Sequence, residues 1–157
     1  MTRSILVTGA AGGLGADIAA AASADGYRVA LIDVNPAVVD TAACIDNATG
    51  FVASTTDVDA IARVLDTFGT PDGVVNNAGI VRFGPLLDQS LDQWRSVVDV
   101  NLTGTFTVAQ SVAKRLVAEG RRGAMVNITS MNGVMPGPNA GAYAATKSGI
   151  SMLTKQM

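Results

Sequence analysis

A short apolar run, Ser4–Thr8, passes directly into Gly9-Ala-Ala-Gly-Gly-Leu-Gly15 and then into an alanine-rich stretch. Few folds accept a strand, a glycine turn and a helix in that order. Glycines permit the tight bend and let a ligand approach the backbone, while the N–H groups at the helix start favour an anion. The segment therefore predicts a phosphate-binding turn. Two spacings fit it. Gly9, Gly13 and Gly15 make G-x3-G-x-G, whereas Gly9, Gly12 and Gly15 make G-x2-G-x2-G, and the loop alone leaves both open.

The same alternation continues along the chain. Ser4–Thr8, Arg28–Ile32, Phe51–Ser54, Gly73–Val75 and Ala124–Thr129 read as strands buried on both faces. Helices are expected over 14–24, 36–44, 58–68, 90–118 and 142–156, the fourth with Leu102, Phe106, Ala109, Ala113 and Leu116 as its apolar stripe. Alternating strand and helix implies an α/β fold with a doubly wound parallel sheet and right-handed crossovers. No repeat, linker or low-complexity tract interrupts the 157 residues, which are expected to form a single domain.

Composition narrows the chemistry. The chain has no histidine, which removes Ser-His-Asp and Cys-His catalysis and histidine-ligated metal sites, so no metal is expected. Its one cysteine, Cys44, excludes an internal disulfide, fits a reducing, cytoplasmic setting, and is expected to pack inertly on an outer helix. A net charge of −2 with scattered basic residues gives no nucleic-acid footprint. Arg3 and the apolar residues after it superficially resemble a secretory leader, but Asp17 interrupts them, and no segment is long enough to span a membrane.

Polar residues gather where strands end, the edge at which doubly wound sheets bind ligands. Asp33 ends the second strand, eighteen positions after Gly15. A carboxylate there accepts hydrogen bonds from adenosine ribose hydroxyls and repels a 2′-phosphate. No Arg or Lys at 10–15 or 34–35 would bind such a phosphate, so NAD is expected over NADP. The alternative is an Asp that opens the Asp33-Val-Asn-Pro36 turn. Asp57-Val58 follows the third strand, and Asn76-Asn77-Ala78-Gly79 follows the fourth.

The last helix carries Tyr143 and Lys147, with Ser130 thirteen positions before the tyrosine. Four-residue spacing puts phenol and ammonium on one helical face, where the cation favours the phenolate. Tyrosine then becomes a general acid/base near neutral pH. Between Ser130 and that helix, Gly133–Gly141 is a turn-rich loop stiffened by Pro136 and Pro138, and Asn139 or Gly141 can begin the helix.

Together these motifs resemble the short-chain dehydrogenase/reductases, specifically the single-domain branch with T-G-x3-G-x-G, N-N-A-G and Y-x3-K. The resemblance runs from about residue 4 to the last residue. It implies a Rossmann fold, selects the G-x3-G-x-G spacing, and implies cofactor contacts from Gly9, Gly13, Leu14, Gly15, Asp33, Asp57, Val58, Asn77, Ala78 and Gly79, besides Tyr143 and Lys147. It also implies a catalytic set of Asn101, Ser130, Tyr143 and Lys147. Tyr143 would exchange a proton with a small-molecule alcohol or ketone, and Ser130 would hydrogen-bond its oxygen. Lys147 would hold the nicotinamide ribose, and Asn101 would hold a water linking Lys147 to solvent. A homo-oligomer, dimer or tetramer, would pair the helices at 102–118 and 142–156.

Two departures accompany the resemblance. Between Asp57 and Asn76 the chain is shorter than most family members by roughly two helical turns. No glycine or proline stops the last helix before Met157, and the family continues further, so the sequence is expected to be part of a longer polypeptide. A catalytically silent nucleotide-binding fragment or interaction subunit is the alternative function. An NADP-linked 3-oxoacyl-thioester reductase is the alternative within the enzymes.

Overall fold

The computed structural model describes residues 2–135 and 137–157; Pro136, and the stiffening expected of it, lie outside the described residues. Five strands form one parallel sheet: β1 (Ser4–Thr8), β2 (Arg28–Asp33), β3 (Ala48–Val52), β4 (Gly73–Asn76) and β5 (Ala124–Asn127). Their spatial order is β3-β2-β1-β4-β5, so the chain reverses its direction of winding between β1 and β4. A crevice opens at such a switch point, outside the carboxyl ends of the two strands.

The helices are α1 (Gly13–Ala24), α2 (Val38–Ala43), α3 (Val58–Phe68), α4 (Leu91–Val98), α5 (Gly104–Ala118) and α6 (Gly141–Gln156). Strand alternation divides the core between the two faces of the sheet. Leu6, Ala30, Ile32 and Val74 pack on one side with Ile61 and Leu65 of α3 and Val108 and Val112 of α5. Val7, Val29, Leu31 and Val75 pack on the other with Ala19 of α1 and Val38 and Ala42 of α2. This is the doubly wound α/β architecture expected from the alternation. Among the described residues, no helix is long and apolar enough to cross a membrane.

Four local expectations are corrected. β3 spans Ala48–Val52 rather than 51–54, because its ladder with β2 recruits Thr49 and Gly50 opposite Ala30 and Leu31. The helix expected over 90–118 is interrupted by a π-helical turn at Asp99–Thr103. Downstream of it, α5 buries Val108, Ala109, Val112 and Leu116, while Phe106 is left 44% exposed. α5 has two apolar stripes, and the one containing Phe106 and Ala113 lines an open groove of about 620 Å³ beside the edge strand β5. Cys44 is exposed at the end of α2 rather than packed.

Candidate active site

The glycine turn is built by contact with β4. Gly9 has φ +66°, and a Cβ there would lie 2.7 Å from the Ala78 Cα. A Cβ on Gly15 would overlap the Gly9 carbonyl oxygen. Gly13 also takes a left-handed φ of +55°, whereas Gly12 is extended and faces open space. The demands for glycine thus fall on Gly9, Gly13 and Gly15. α1 has no side-chain cap, which leaves its first-turn N–H groups free to meet an anion; Leu14 in that turn is exposed.

Polar side chains lock this turn to the end of β4. The buried Thr8 hydroxyl accepts from the backbone N–H groups of Asn77 and Ala78, each at 3.0 Å. The Asn77 amide donates to the carbonyls of Thr8 and Gly9, at 3.0 and 3.1 Å. Asn77 therefore holds the turn through its side chain, in partnership with Thr8, the first residue of the T-G-x3-G-x-G pattern.

A cleft of about 250 Å³ opens at the switch point, lined by Gly9, Asp33, Thr55, Ala78, Gly79 and Ile80 among others. Asp33 accepts from the N–H of Ala11 at 3.0 Å and from that of Asn35 at 2.9 Å. The turn-forming reading of Asp33 is thus present, and Asp33 is also one of the residues that line the cleft. Asp57 caps α3, accepting from the Ala60 N–H at 2.9 Å, and Val58 is exposed at the start of that helix. Both stand just beyond Thr55, outside the set of residues that line the cleft.

The second half of the site depends on the π-helical turn, whose wider i→i+5 bonding recurs at functional positions. It turns Asn101 fully inward. Its Oδ1 accepts from the Ile80 N–H at 2.7 Å, and its Nδ2 donates to the Ile80 carbonyl at 2.9 Å and to Thr146 Oγ1 at 3.1 Å. The Thr146 hydroxyl in turn donates to the Tyr143 carbonyl at 2.8 Å. Asn101 is thereby a clamp between the segment after β4 and the helix that carries Tyr143. Replacing it with alanine strands several buried polar groups and is expected to cost about 2–4 kcal/mol in urea unfolding.

Lys147 is buried on α6, and its Nζ donates to the Ile128 carbonyl at 2.6 Å, just past the end of β5. The ammonium stands 5.6 Å from the centre of the Tyr143 ring, confirming one shared face. Burial holds its pKa below the usual lysine range. A Cβ on Gly79 would lie 3.4 Å from Asn101 Oδ1 and 3.7 Å from Lys147 Nζ, so both groups meet where β4 ends. Ser130 accepts from the Asn132 N–H at 3.2 Å, which leaves its own proton to donate elsewhere. The short 3₁₀ turn after it, Met131–Gly133, is fastened to α6 by a hydrogen bond from the Ser148 hydroxyl to the Gly133 carbonyl.

Gln89 fastens the start of α6. Gly141, not Asn139, opens that helix, no side chain occupies its cap position, and Gln89 Oε1 accepts from the Ala142 N–H at 3.4 Å. Thr146 and Gln89 act through partners distant in sequence, and no local spacing announces them. Glycine cradle, acidic strand end, buried lysine and tyrosine thus share one edge of the sheet.

The model of the short chain dehydrogenase family matches residues 3–157. The chain belongs to the short-chain dehydrogenases. It is 36% identical to a 2-(S)-hydroxypropyl-CoM dehydrogenase of Xanthobacter autotrophicus over 98% of its own length and 63% of that protein's. It is also 36% identical to a 3-oxoacyl-(acyl-carrier-protein) reductase of Staphylococcus aureus, covering 99% of this chain and 67% of the relative. Among solved structures, a 3-oxoacyl-(acyl-carrier-protein) reductase from Brucella melitensis with bound NAD superposes with a TM-score of 0.91 at 38% identity, over 98% of this chain and 63% of that one. This short-chain dehydrogenase sequence therefore spans about two thirds of the length of these relatives.

Proposed function

We propose that this short-chain dehydrogenase transfers a hydride between NAD(H) and a secondary alcohol or its ketone, with Tyr143 as general acid/base. The observation that carries this reading is the buried Lys147, 5.6 Å from the Tyr143 ring and joined to the end of β5, at the same sheet edge as the glycine cradle. The cradle fits a dinucleotide: Gly9 and Gly15 are closed to any Cβ, and the first turn of α1 is uncapped. When bound, the nicotinamide supplies or accepts the hydride.

The chain's own groups orient the reactants and manage one proton. Tyr143 exchanges that proton between its phenol and the substrate oxygen. Ser130 donates to the same oxygen and stabilises charge that develops there. Lys147, with one of its three protons on Ile128, would turn the others to the ribose hydroxyls of a bound nicotinamide. Asn101 keeps Ile80 and Thr146 in place; its side-chain amide is engaged by them, so a water linking Lys147 to solvent would need an acceptor beyond those bonds. Gly9, Gly13, Leu14 and Gly15 receive the pyrophosphate, and Asn77, Ala78 and Gly79 form the wall behind it. Asp57 and Val58 edge the adenine side.

Asp33 makes NAD the cofactor, because its carboxylate accepts from ribose hydroxyls and repels a 2′-phosphate. Titration of the protein with NADH and NADPH is expected to favour NADH by about tenfold or more, the equivalent of one tightly held hydrogen-bonded group. A preference for NADPH would contradict this role of Asp33. It would also favour a second reading, suggested by the 36% identity to a 3-oxoacyl-(acyl-carrier-protein) reductase, in which the ketone belongs to a 3-oxoacyl thioester. Our reading extends to a single cytoplasmic domain that works as a homo-oligomer. Exposed Phe106 on α5 and Met152 on α6 support pairing between copies.

A further inference from the structure

Ala11, inside the glycine turn, is held through both of its backbone polar groups, which belong to successive peptide units. Its N–H donates to Asp33 Oδ2 at 3.0 Å, and its carbonyl accepts from the Thr41 hydroxyl at 2.8 Å. One residue earlier, the Ala10 N–H donates to the Ile32 carbonyl at 3.2 Å. The turn from β2 to α2 prepares both grips. Asp33 Oδ1 accepts from the Asn35 N–H at 2.9 Å, and Asn35 Oδ1 accepts from the Ala37 N–H at 3.0 Å, which places α2 and its Thr41 against the glycine turn. The Thr41 hydroxyl also lies 3.1 Å from the Ala37 carbonyl of its own helix. It has a single proton, and the shorter of its two contacts is the one to Ala11.

We propose that Thr41 is a positioning residue for the dinucleotide, fixing the Ala11–Gly12 peptide and so the pitch of the phosphate-binding turn. The inference rests on the dinucleotide reading above. A loop ordered before its ligand arrives spares the binding step that ordering cost. Without the hydroxyl, the Ala11 carbonyl loses its protein donor, and the Ala11–Gly12 peptide plane is free to rotate, carrying the Gly12 N–H with it. The pyrophosphate end of the ligand then meets a looser turn. The ribose end loses less, since Asp33 keeps its bond from Asn35.

The test compares wild type, Thr41→Val and Thr41→Ser for affinity toward NADH, ADP-ribose and adenosine. Amide hydrogen exchange is followed over residues 9–15 of the unliganded protein. Thr41→Val is expected to weaken NADH and ADP-ribose about 3- to 10-fold, the worth of one hydrogen bond, and adenosine less than about twofold. Exchange over residues 9–15 is expected to quicken, and Thr41→Ser, which keeps the hydroxyl, restores both readouts. Equal losses for adenosine and ADP-ribose would reduce Thr41 to a general structural residue and overturn the proposal, as would failure of the serine variant to rescue. Unchanged exchange over residues 9–15 overturns it whatever the ligands do. A wild type that binds neither NADH nor ADP-ribose sinks the dinucleotide reading instead, while the exchange comparison still decides whether Thr41 holds the turn.

Discussion

Replacing Tyr143 with phenylalanine is expected to slow hydride transfer by roughly 10²–10⁴-fold, the usual worth of a positioned proton donor. NADH affinity should stay within about threefold, less than one ordinary hydrogen bond is worth. The contrast follows from what the phenol touches. Among the described residues, none hydrogen-bonds the Tyr143 oxygen, whereas the ring stays beside the buried Lys147 in the phenylalanine variant. α6 packs through Ala142, Ala144, Thr146 and Ile150, and none of these is disturbed. Unfolding stability should therefore change by less than about 0.5 kcal/mol. Steady-state rates, a cofactor titration and urea unfolding on the same preparation separate these effects. Retained turnover would mean that the proton travels by another group.

The glycine turn gives the second large effect. Gly9→Ala must place a methyl group 2.7 Å from the Ala78 backbone at a φ of +66°. We expect a loss of about 2–4 kcal/mol in unfolding stability and more than about tenfold in NADH affinity. Gly12→Ala is the matched control. Nothing lies within 4 Å of its Cβ position and the backbone is extended there, so its stability should stay within about 0.5 kcal/mol of wild type. Equal damage from both substitutions would contradict the assignment of the turn to Gly9, Gly13 and Gly15.

The positions of most strands and the glycine turn were legible in the sequence because burial on both faces leaves continuous apolar runs such as Arg28–Asp33, bounded by turn residues, whereas the spatial order of the strands was not. The pairing of Tyr143 with Lys147 was legible because helical spacing alone fixes it. Other features were hidden for physical reasons. A π-helical turn at Asp99–Thr103 leaves no mark in composition, since only one extra residue enters the hydrogen-bond loop. The apolar stripe of α5 was ambiguous because both Phe106 and Val108 belong to helical repeats, and only the sheet chooses Val108. β3 was misplaced because ladder pairing with β2 outweighed the weak strand preference of Thr49-Gly50. Thr41, Gln89 and Thr146 work through tertiary hydrogen bonds, and a lone threonine or glutamine announces no such role.

Isotope transfer tests the central claim most directly. The protein is incubated with NAD and a panel of secondary alcohols deuterated at the carbinol carbon, and the nicotinamide product is examined by mass spectrometry. The proposed function predicts reduced nicotinamide that carries one deuterium from at least one alcohol, formed by wild type and lost in Tyr143→Phe. Firm NAD binding with no deuterium transferred from any alcohol, and no ketone reduced in the reverse direction, would contradict it and leave the cleft a nucleotide-binding module without turnover.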